Sequence, residues 1–491
     1  MPCLYPSPVP LSDESLFIDK LRHSRQMKTT TAWVFHRCVA AILLIAWVSL
    51  SVQIEVLAGA SGLVPVGELI AALTDQGVSF WQAPTHLWWD ATDGVLVAGT
   101  WLGIGLALAA LLGVAPRLCF ALSAPLYLSY IIACQTFLSF QWDNLLVEMT
   151  LLAALLPDRG GSHPALWIQR LLLFKVMFES GVAKWQSHLA DWQDGSAMAH
   201  YYQTAPLPAP GGWFLHHLPS GWHALESWWT LFFELGVPFL LFLGPGARRL
   251  AAVIFAVFLV LNQATANYGF FVLQAAALLV VCLEDTDIQR AYGALRRRIP
   301  RLPMPPALHA PPLSGRAWWI PAGVLTLWLS LSTLSGLARF ADTDLAPELT
   351  AAARPLRIAN NYHLFGHITT ERIEPEFQTL TDGTWTAQHL HHKPGPTDRR
   401  PSFVAPHQPR VDFRLWFYGL SHEHGTPGYV RALVTRLCED PQAVQPLFVA
   451  PLPASPEAVR IVFWHYTYTA PGETGWWHRE QVDATGSARC R

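Results

Sequence analysis

The chain has 491 residues, enough for two or three ordinary domains, with 33 Lys and Arg against 35 Asp and Glu. This nearly even charge balance argues against a nucleic-acid-binding protein. Charged residues make up only 14% of the chain, hydrophobic residues make up 52%, and Trp occurs 22 times, which is untypical of a soluble protein. Long uncharged stretches fill the first two thirds, so the sequence predicts a polytopic helical membrane bundle with an appended domain.

A helix needs about 20 residues to cross the hydrocarbon core of a bilayer. Four uncharged runs of about this length predict crossings, at residues 38–54, 94–116, 118–142 and 317–337. The longer run 250–283 predicts a hairpin that turns at Asn267-Tyr268-Gly269. Three apolar segments interrupted by ionisable residues, 144–157, 165–185 and 227–243, complete a bundle of about 7–9 crossings.

The distribution of Lys and Arg predicts the orientation of these crossings. Lys20, Arg22, Arg25 and Lys28 precede the first crossing, whereas residues 52–93 and 187–227 contain no Lys or Arg. The N-terminus is therefore predicted to be cytoplasmic, with no cleavable signal peptide. Nine crossings satisfy every loop and leave the C-terminal region outside the cytoplasm. The 144–157 segment is the shortest of the nine.

We expect five regions along the chain. They are a cytoplasmic N-terminal segment (1–31), a transmembrane bundle (32–285), a basic Pro-rich cytoplasmic connector (286–316), a last crossing (317–337) and an extracytoplasmic β-rich domain (338–491). In the last region, residues 411–417 alternate apolar with polar and residues 460–468 are aromatic and β-branched, a pattern that predicts strands of a β-sandwich-like fold. Residues 425–445 are predicted to be helical.

The 165–185 segment carries four ionisable residues that a lipid environment disfavours: Arg170, Lys175, Glu179 and Lys184. Lys175 and Glu179 are spaced i,i+4 and predict a buried ion pair on one helix face. Arg170 and Lys184 lie near opposite ends, where long side chains can snorkel to the interface.

Further acids occur on neighbouring apolar segments, at Asp143, Glu148 and Glu234. The bundle interior therefore needs a charge network across at least three helices. One interpretation is that this network only fixes helix packing. The other is a polar cavity in which Lys175 or Glu179 handles protons or an anionic group.

The loop between residues 187 and 227 is rich in aromatic residues and histidine, including His200, Tyr201, Tyr202, Trp213, His216 and Trp222. Such a loop can lie at the lipid headgroups as an interfacial belt. It can also form a binding surface for an apolar or unfolded partner. The residues alone leave both interpretations open.

The sequence gives little indication of metal or cofactor chemistry. His389, His391 and His392, with His422-Glu423-His424, lack the spacing of a zinc motif and can simply face solvent on a strand. Neither a nucleotide-binding nor a hydrolase motif is present, so no metal and no cofactor are predicted. Cys438 and Cys490 could form a disulfide if the compartment is oxidising.

Several strings in this order and spacing resemble the lipase maturation factor family. In the membrane region they are Phe140-Gln141-Trp142-Asp143 with Leu145 and Glu148, Met177-Phe178-x-Ser180-Gly181-Val182-x-Lys184, Pro206-Leu207-Pro208 and Asn267-Tyr268-Gly269-Phe270-Phe271. In the C-terminal region they are Asn361-Tyr362-x-x-Phe365-Gly366-x-Ile368-Thr369-x-Glu371-Arg372, Lys393-Pro394-Gly395, Arg399-Arg400-Pro401 and Arg410-x-Asp412. The resemblance covers nearly all of residues 30–420, and residues 421–491 match less clearly.

The resemblance implies a polytopic membrane protein that helps dimeric secreted lipases fold and assemble. In animals the family lies in the endoplasmic reticulum with the C-terminal domain in the lumen; in bacteria the corresponding location is the inner membrane and periplasm. The chain departs from the family in one loop. The family has Tyr-His-Tyr-Glu-Thr-Gln before Pro-Leu-Pro, and this chain has Gln203 where the acid stands.

The membrane region is also distantly similar to the bundle of the vitamin K-dependent carboxylase. This similarity gives an enzyme hypothesis, in which Lys175 with Glu179 acts on a lipid or quinone-like substrate and the lysine is the general base. The favoured hypothesis is a non-enzymatic maturation factor, or chaperone, whose partners are membrane lipid and exported client proteins such as lipases. On this view the C-terminal domain and the aromatic loop bind partly folded clients.

Overall fold

The computed structural model describes residues 29–156, 163–299, 319–341 and 347–490. Residues 1–28, with the predicted cytoplasmic lysines and arginines of the N-terminal segment, lie outside these ranges. Most of the predicted connector, residues 300–318, lies outside them as well.

The bundle contains most of the α-helices of the described chain. In order they are α1 Thr29–Ser51, α2 Ile54–Ala58, α3 Val66–Asp75, α4 Asp93–Leu112, α5 Pro116–Ala133, α6 Gln141–Leu155, α7 His163–Trp185, α8 Ala197–Thr204, α9 Pro210–His216, α10 Ser220–Leu235, α11 Pro245–Thr265, α12 Phe271–Leu279, α13 Asp285–Arg298, α14 Trp319–Ala341 and α15 Pro347–Ala353. Short 3₁₀ turns at Val237–Phe242 and Val280–Cys282 extend α10 and α12.

Within the described ranges, five helical segments are long and apolar enough to cross a membrane: Thr31–Ser51, Asp93–Leu112, Pro116–Ala133, Ser220–Phe242 and Pro245–Thr265. Phe271–Cys282 and Ala322–Leu337 are apolar but shorter. The predicted hairpin of residues 250–283 is present as α11 and α12, joined by a turn at residues 266–270. The total of nine crossings stays a prediction.

Helix α4 illustrates how the sequence sets these helices. Asp93 lies in its first turn, where a negative charge favours the helix dipole, and the helix ends at Gly113, whose φ of 91° suits glycine. Gly103 lets α4 approach α1 closely. A Cβ atom at this position would lie 2.3 Å from the indole of Trp47, so a larger residue would force the two helices apart.

Arginine side chains tie helix ends together on one side of the bundle. Arg37 donates to the carbonyl of Ala110 at 2.8 Å, and Arg117 donates to the carbonyl of Ala154 at 2.9 Å. Helix α13 packs here too and ends in three arginines. Arg and Lys are enriched in cytoplasmic loops, so this is the end that the sequence predicts to face the cytoplasm, and the orientation stays a prediction.

The C-terminal domain, residues 373–490, combines one antiparallel sheet with helices. The strands are β1 Ile373–Thr381, β2 Thr384–Gln388, β3 Ala458–Tyr468, β4 Trp477–Ala484 and β5 Ala488–Arg489, in the order β2-β1-β3-β4 with β5 also paired to β3. Three helices follow β2: α16 Arg410–Leu420, α17 Gly428–Glu439 and α18 Pro441–Val444. Helix α16 packs on β1, and α17 packs on β3.

This architecture corrects part of the predicted fold. The described residues form one helix-covered sheet, not the two stacked sheets of a sandwich. Residues 411–417, which alternate like a strand, belong to α16. Val411, Leu415 and Tyr418 are all buried at i, i+4 and i+7, so the same short apolar run also fits a helix. The strand predicted at residues 460–468 and the helix predicted within residues 425–445 are confirmed.

Candidate functional site

A buried ion pair joins the C-terminal domain to the bundle. Arg410 begins α16, and Asp143 lies in the first turn of α6. The guanidinium Nη1 and Nη2 atoms lie 2.6 and 2.8 Å from the two carboxylate oxygens of Asp143, and the residues are 1% and 0% exposed. The hydroxyl of Tyr127 donates to the same carboxylate at 2.8 Å. This bidentate geometry is the strong form of a charge-assisted hydrogen bond.

A second buried carboxylate, that of Glu148, collects donors from three other parts of the chain. Lys175 Nζ on α7 lies 3.7 Å from it. Trp328 on α14 donates its indole N–H at 2.6 Å. Tyr362 donates its hydroxyl at 2.7 Å, and Asn360 donates its side-chain amide at 2.8 Å. Both oxygens are therefore occupied, so Glu148 links three helices to the segment that follows α15.

That segment, residues 354–372, is called the linker below. Its Tyr362 also donates its backbone N–H to Glu179 at 2.7 Å, so this one residue bridges two carboxylates of the bundle. The predicted i,i+4 pair between Lys175 and Glu179 is wrong, because Lys175 pairs with Glu148 on the neighbouring helix. An acid on another helix can reach the lysine as readily as one on the same helix.

The prediction that Arg170 and Lys184 snorkel is also wrong, since both are buried with partners. Lys184 Nζ lies 2.6 Å from Glu234 on α10 and donates to the linker carbonyl of Leu364 at 2.8 Å. Arg170 donates to the carbonyl of Val281 at 2.7 Å. The predicted buried acids and bases are thus distributed between contacts within the bundle and contacts to the C-terminal region.

Arg372, at the end of the linker, binds the loop before the Pro-Leu-Pro string. Its guanidinium donates to three carbonyl oxygens at 3.1, 2.5 and 3.2 Å, those of Gln203, Ala205 and Pro206. Glu374 pairs with Arg372 at 2.5 Å and with the buried Lys393 at 2.6 Å. Burial lowers the pKa of Lys393, and the Glu374 carboxylate opposes this change.

Gln203, where the sequence is predicted to depart from the family pattern, contributes to the same interface. Its side-chain oxygen accepts from the backbone N–H of Tyr468 in β3 at 3.1 Å.

The turn of the α11–α12 hairpin forms another junction. The Asn267 side chain donates to the carbonyl of Ser402 at 2.8 Å and accepts from the backbone N–H of Val404 at 2.8 Å. Gly269 has φ of 52°, and a Cβ atom there would lie 2.2 Å from the side chain of Gln408. The Asn-Tyr-Gly string is therefore needed for both the turn and the contact with the C-terminal domain.

The aromatic loop is largely covered by this packing. Tyr201 and Tyr202 are buried, with their hydroxyls bonded to Tyr268 and Glu226. Among the other predicted client-binding residues, His200, Trp213 and His216 are partly buried, whereas Trp222 is 47% exposed. Tyr201 and Tyr202 therefore belong to an internal interface, which corrects the prediction that they bind clients; for His200, Trp213, His216 and Trp222 that role stays a prediction.

An open cleft lies between the bundle, the linker and α16. Its volume is about 920 Å³. Aromatic side chains supply one wall, among them Phe140, Trp142, Phe413, Trp416 and Phe417. Arg354, Arg357 and Arg414 supply positive charge, and His188, His363 and His367 also line the cleft. The described residues that line the cleft include neither Asp nor Glu.

Several polar groups in the cleft lack a partner. The side-chain oxygens of Asn144, Asn361 and Thr369 and the Nε of Arg414 are buried without a hydrogen bond to any described residue. Arg357 has φ of 52°. Burial lowers the pKa of its guanidinium, and neighbouring Arg354 lowers it further. Positive charge beside aromatic rings, with no acid among the described lining residues, suits an anionic, partly apolar ligand. The amide oxygens of Asn144 and Asn361 can accept hydrogen bonds from donor groups of such a ligand.

The enzyme hypothesis requires a lipid-sized cavity that ends at Lys175 and Glu179. Neither residue lines this cleft or the apolar cavity described below. Both have partners at the linker or on α6, which fits a role in packing. For metals, no group of three His, Cys, Asp or Glu side chains within the described ranges is arranged to hold an ion.

Cys438, at the end of α17, forms a disulfide with Cys490, which follows β5.

Three histidines of the C-terminal domain lie close together. The ring centroids of His391 and His392 are 6.0 Å apart, and those of His392 and His407 are also 6.0 Å apart. Burial lowers the pKa values of His392 and His407 to about 4. Both rings are therefore neutral near pH 7.

Sequence reasoning missed Arg410 as the partner of Asp143, and it missed Arg357 and Arg414 as cleft residues. The sequence does contain one indication that Asp143 has a distant basic partner. A buried Asp needs a cation, and the basic residues of the bundle already had other acids nearby.

Comparison with known proteins covers both halves of the chain. The model of the lipase maturation factor transmembrane domain matches residues 30–290, and that of the lipase maturation factor C-terminal domain matches residues 358–487. Lipase maturation factor 2 of Homo sapiens is 30% identical over 92% of this chain and 81% of the relative. Lipase maturation factor 1 of Bos taurus is 27% identical over 93% and 89%. No solved structure matches the chain. The matched transmembrane domain and the five membrane-length helices identify an integral membrane protein.

Proposed function

The chain belongs to the lipase maturation factor family, and from this premise we propose that it assists the folding or assembly of exported proteins at the membrane. The relatives are named for the maturation of lipases, so secreted lipases are the proposed clients. The C-terminal domain would then face the endoplasmic reticulum lumen in a eukaryotic cell or the periplasm in a bacterium.

The observation that carries this proposal is the cleft of about 920 Å³ between the bundle and the C-terminal domain. A partly folded chain exposes apolar side chains that a finished protein buries, and aromatic walls can receive them. The arginines add attraction for acidic residues of the client, and electrostatic attraction raises association rates. We therefore propose that clients bind in the cleft. The loop with Tyr201 and Tyr202 supports the cleft by packing against Phe365, one of the residues that line it.

The buried charge network supports this function indirectly. Asp143 and Glu148 in α6 and Lys184 in α7 each bind an arginine or a linker residue from the C-terminal region. These contacts hold the C-terminal domain at a fixed position over the bundle. A cleft formed between two bodies keeps its shape only if the bodies do not move apart.

Capture of a secreted lipase by the detergent-solubilised full chain tests the proposal. Arg357→Gln with Arg414→Gln removes two cleft charges. Because a hydrogen bond to a charged group contributes about 1.5–3 kcal/mol, capture should weaken about tenfold or more. Arg431→Gln, an exposed arginine of the same domain outside the cleft, is the matched control and should leave capture unchanged. Equal capture by the double variant and the control would contradict binding in the cleft.

A further inference from the structure

A second cavity, of about 290 Å³, lies among α7, α10, α11 and α12, next to the cleft, since Leu364 and Phe365 of the linker line both. Its wall is mainly apolar and includes Met177, Leu225, Trp229, Phe233, Phe258 and Leu261. Lys184, paired with Glu234, and Tyr202 also lie in this wall, but the maturation role assigns no ligand to the cavity.

The cavity opens toward the bilayer. Its wall is formed in large part by Ser220–Phe242 and Pro245–Thr265, two of the membrane-length helical segments. Trp222, Leu225, Trp229 and Leu261 line the cavity and also have exposed side chains. Exposed apolar residues on membrane-crossing helices face lipid. The medium at the opening is therefore membrane lipid, and its hydrocarbon chains can enter the cavity.

The size of the cavity limits how much of a lipid can enter. Sites for small molecules span about 300–1,000 Å³, so 290 Å³ suits a single hydrocarbon chain and not a whole two-chain lipid. The remainder of the lipid must stay outside, at the opening.

A carboxylate lies at the edge of this cavity. Glu226 accepts hydrogen bonds from the hydroxyl of Tyr202, 3.0 Å from each oxygen, and His223 Nδ1 lies 3.5 Å away. Among the described residues, no Lys or Arg lies within ion-pair distance of it. Trp222 and Trp229 precede and follow Glu226 by four and three residues, so all three share one face of α10. A carboxylate between two indoles favours an ammonium group and disfavours a free fatty acid.

We propose that this cavity holds one acyl chain of a bilayer lipid whose ammonium headgroup binds Glu226. Tyr202 connects this site to the C-terminal domain. Its hydroxyl donates to Glu226, and its backbone carbonyl accepts from the hydroxyl of Tyr468 in β3 at 3.3 Å. A lipid bound at Glu226 would therefore lie one residue away from the C-terminal domain. The proposal is independent of client binding in the cleft.

Photocrosslinking of the full chain in lipid nanodiscs tests the acyl chain. The probe is an ethanolamine phospholipid with a diazirine in its acyl chain, and adducts are mapped by mass spectrometry. Adducts should concentrate on Leu225, Trp229 and Leu261, several-fold above Val253 and Val257, which face outward on α11 and do not line the cavity. Equal labelling of the two groups would mean surface lipid only and would overturn the proposal.

Two variants separate the chain from the headgroup. Thr230→Trp fills the cavity from its buried side and should reduce the cavity adducts several-fold, whereas Val253→Trp on the outer surface should not. Glu226→Gln keeps the bond to Tyr202 and should abolish the preference for an ethanolamine over a glycerol headgroup. An unchanged preference would overturn the headgroup assignment. If Thr230→Trp does not fold, the positions of the adducts on the natural chain still test the acyl-chain site, and Glu226→Gln still tests the headgroup site.

Discussion

Arg410 and Asp143 lie 267 residues apart in the chain and form a bidentate ion pair in the interior, with N–O distances of 2.6 and 2.8 Å. The pair joins the first residue of a helix in the C-terminal domain to the first turn of a bundle helix. The pair holds the domain against the bundle, because moving the two apart would leave both charges unpaired in an apolar interior.

Breaking this pair on one side should destabilise the protein strongly. Asp143→Asn leaves a buried guanidinium without its counter-charge, which costs about 3–5 kcal/mol. Thermal unfolding in detergent measures the loss. Asp143→Leu with Arg410→Met removes both charges and should recover most of the stability, because apolar pairs of similar volume replace buried ion pairs with little loss. Arg431→Met serves as the control. A double variant no more stable than Asp143→Asn would contradict the account.

The Glu148 cluster gives a test that separates packing from chemistry. Lys175→Met alone leaves Glu148 without its cation, and it should lower the free energy of unfolding by about 3–5 kcal/mol. Glu148→Gln with Lys175→Met should restore stability and retain client maturation, measured as secreted lipase activity. A folded double variant without maturation activity would instead favour a chemical role for these residues.

The disulfide between Cys438 and Cys490 closes a separation of 52 residues. In the chain-entropy model, a loop of this size stabilises the folded state by about 4 kcal/mol. Cys438→Ala with Cys490→Ala should therefore lower the thermal midpoint, and a reducing agent should shift the natural chain in the same direction but leave the variant unaffected. If the reducing agent lowered the thermal midpoint of both proteins equally, its effect would not come from the Cys438–Cys490 disulfide, and the prediction would be wrong.

Acid should loosen the C-terminal domain. The pKa values of His392 and His407 are lowered to about 4 by burial, from 6.5. Between these values the unfolded chain binds more protons than the folded chain, so the free energy of unfolding falls as the pH falls from about 6.5 toward 4. His392→Gln with His407→Gln should flatten this dependence, measured by unfolding at several pH values. His478→Gln, on an exposed side chain, should preserve it; a double variant with the same slope as His478→Gln would refute the assignment.

Much of the bundle is predictable because a crossing helix is a local feature of about 20 residues. The uncharged runs and the Asn-Tyr-Gly turn correctly indicate α4, α5 and the α11–α12 hairpin. The buried acids Asp143 and Glu148 are also recognisable, since a charge in an apolar segment needs compensation.

Their partners are not predictable in the same way. Tyr362 meets Glu148 across 214 residues, and no local period encodes such a contact. Proximity along one helix pointed to Lys175 with Glu179, but the fold offered the lysine a carboxylate on the next helix. The run Val411–Phe417 fits both a strand and a helix, and only packing of α16 on β1 decides between them.

In the proposed function, clients bind in the cleft between the bundle and the C-terminal domain, which the buried ion pairs hold together. Site-specific photocrosslinking during export of a secreted lipase tests this directly, with a photoreactive phenylalanine at Leu420 or at Val482. Both are exposed residues of the C-terminal domain, but only Leu420 lines the cleft. Adducts with the lipase from Leu420 and none from Val482 are the predicted result. Adducts from Val482 alone, or from both in equal amounts, would contradict it.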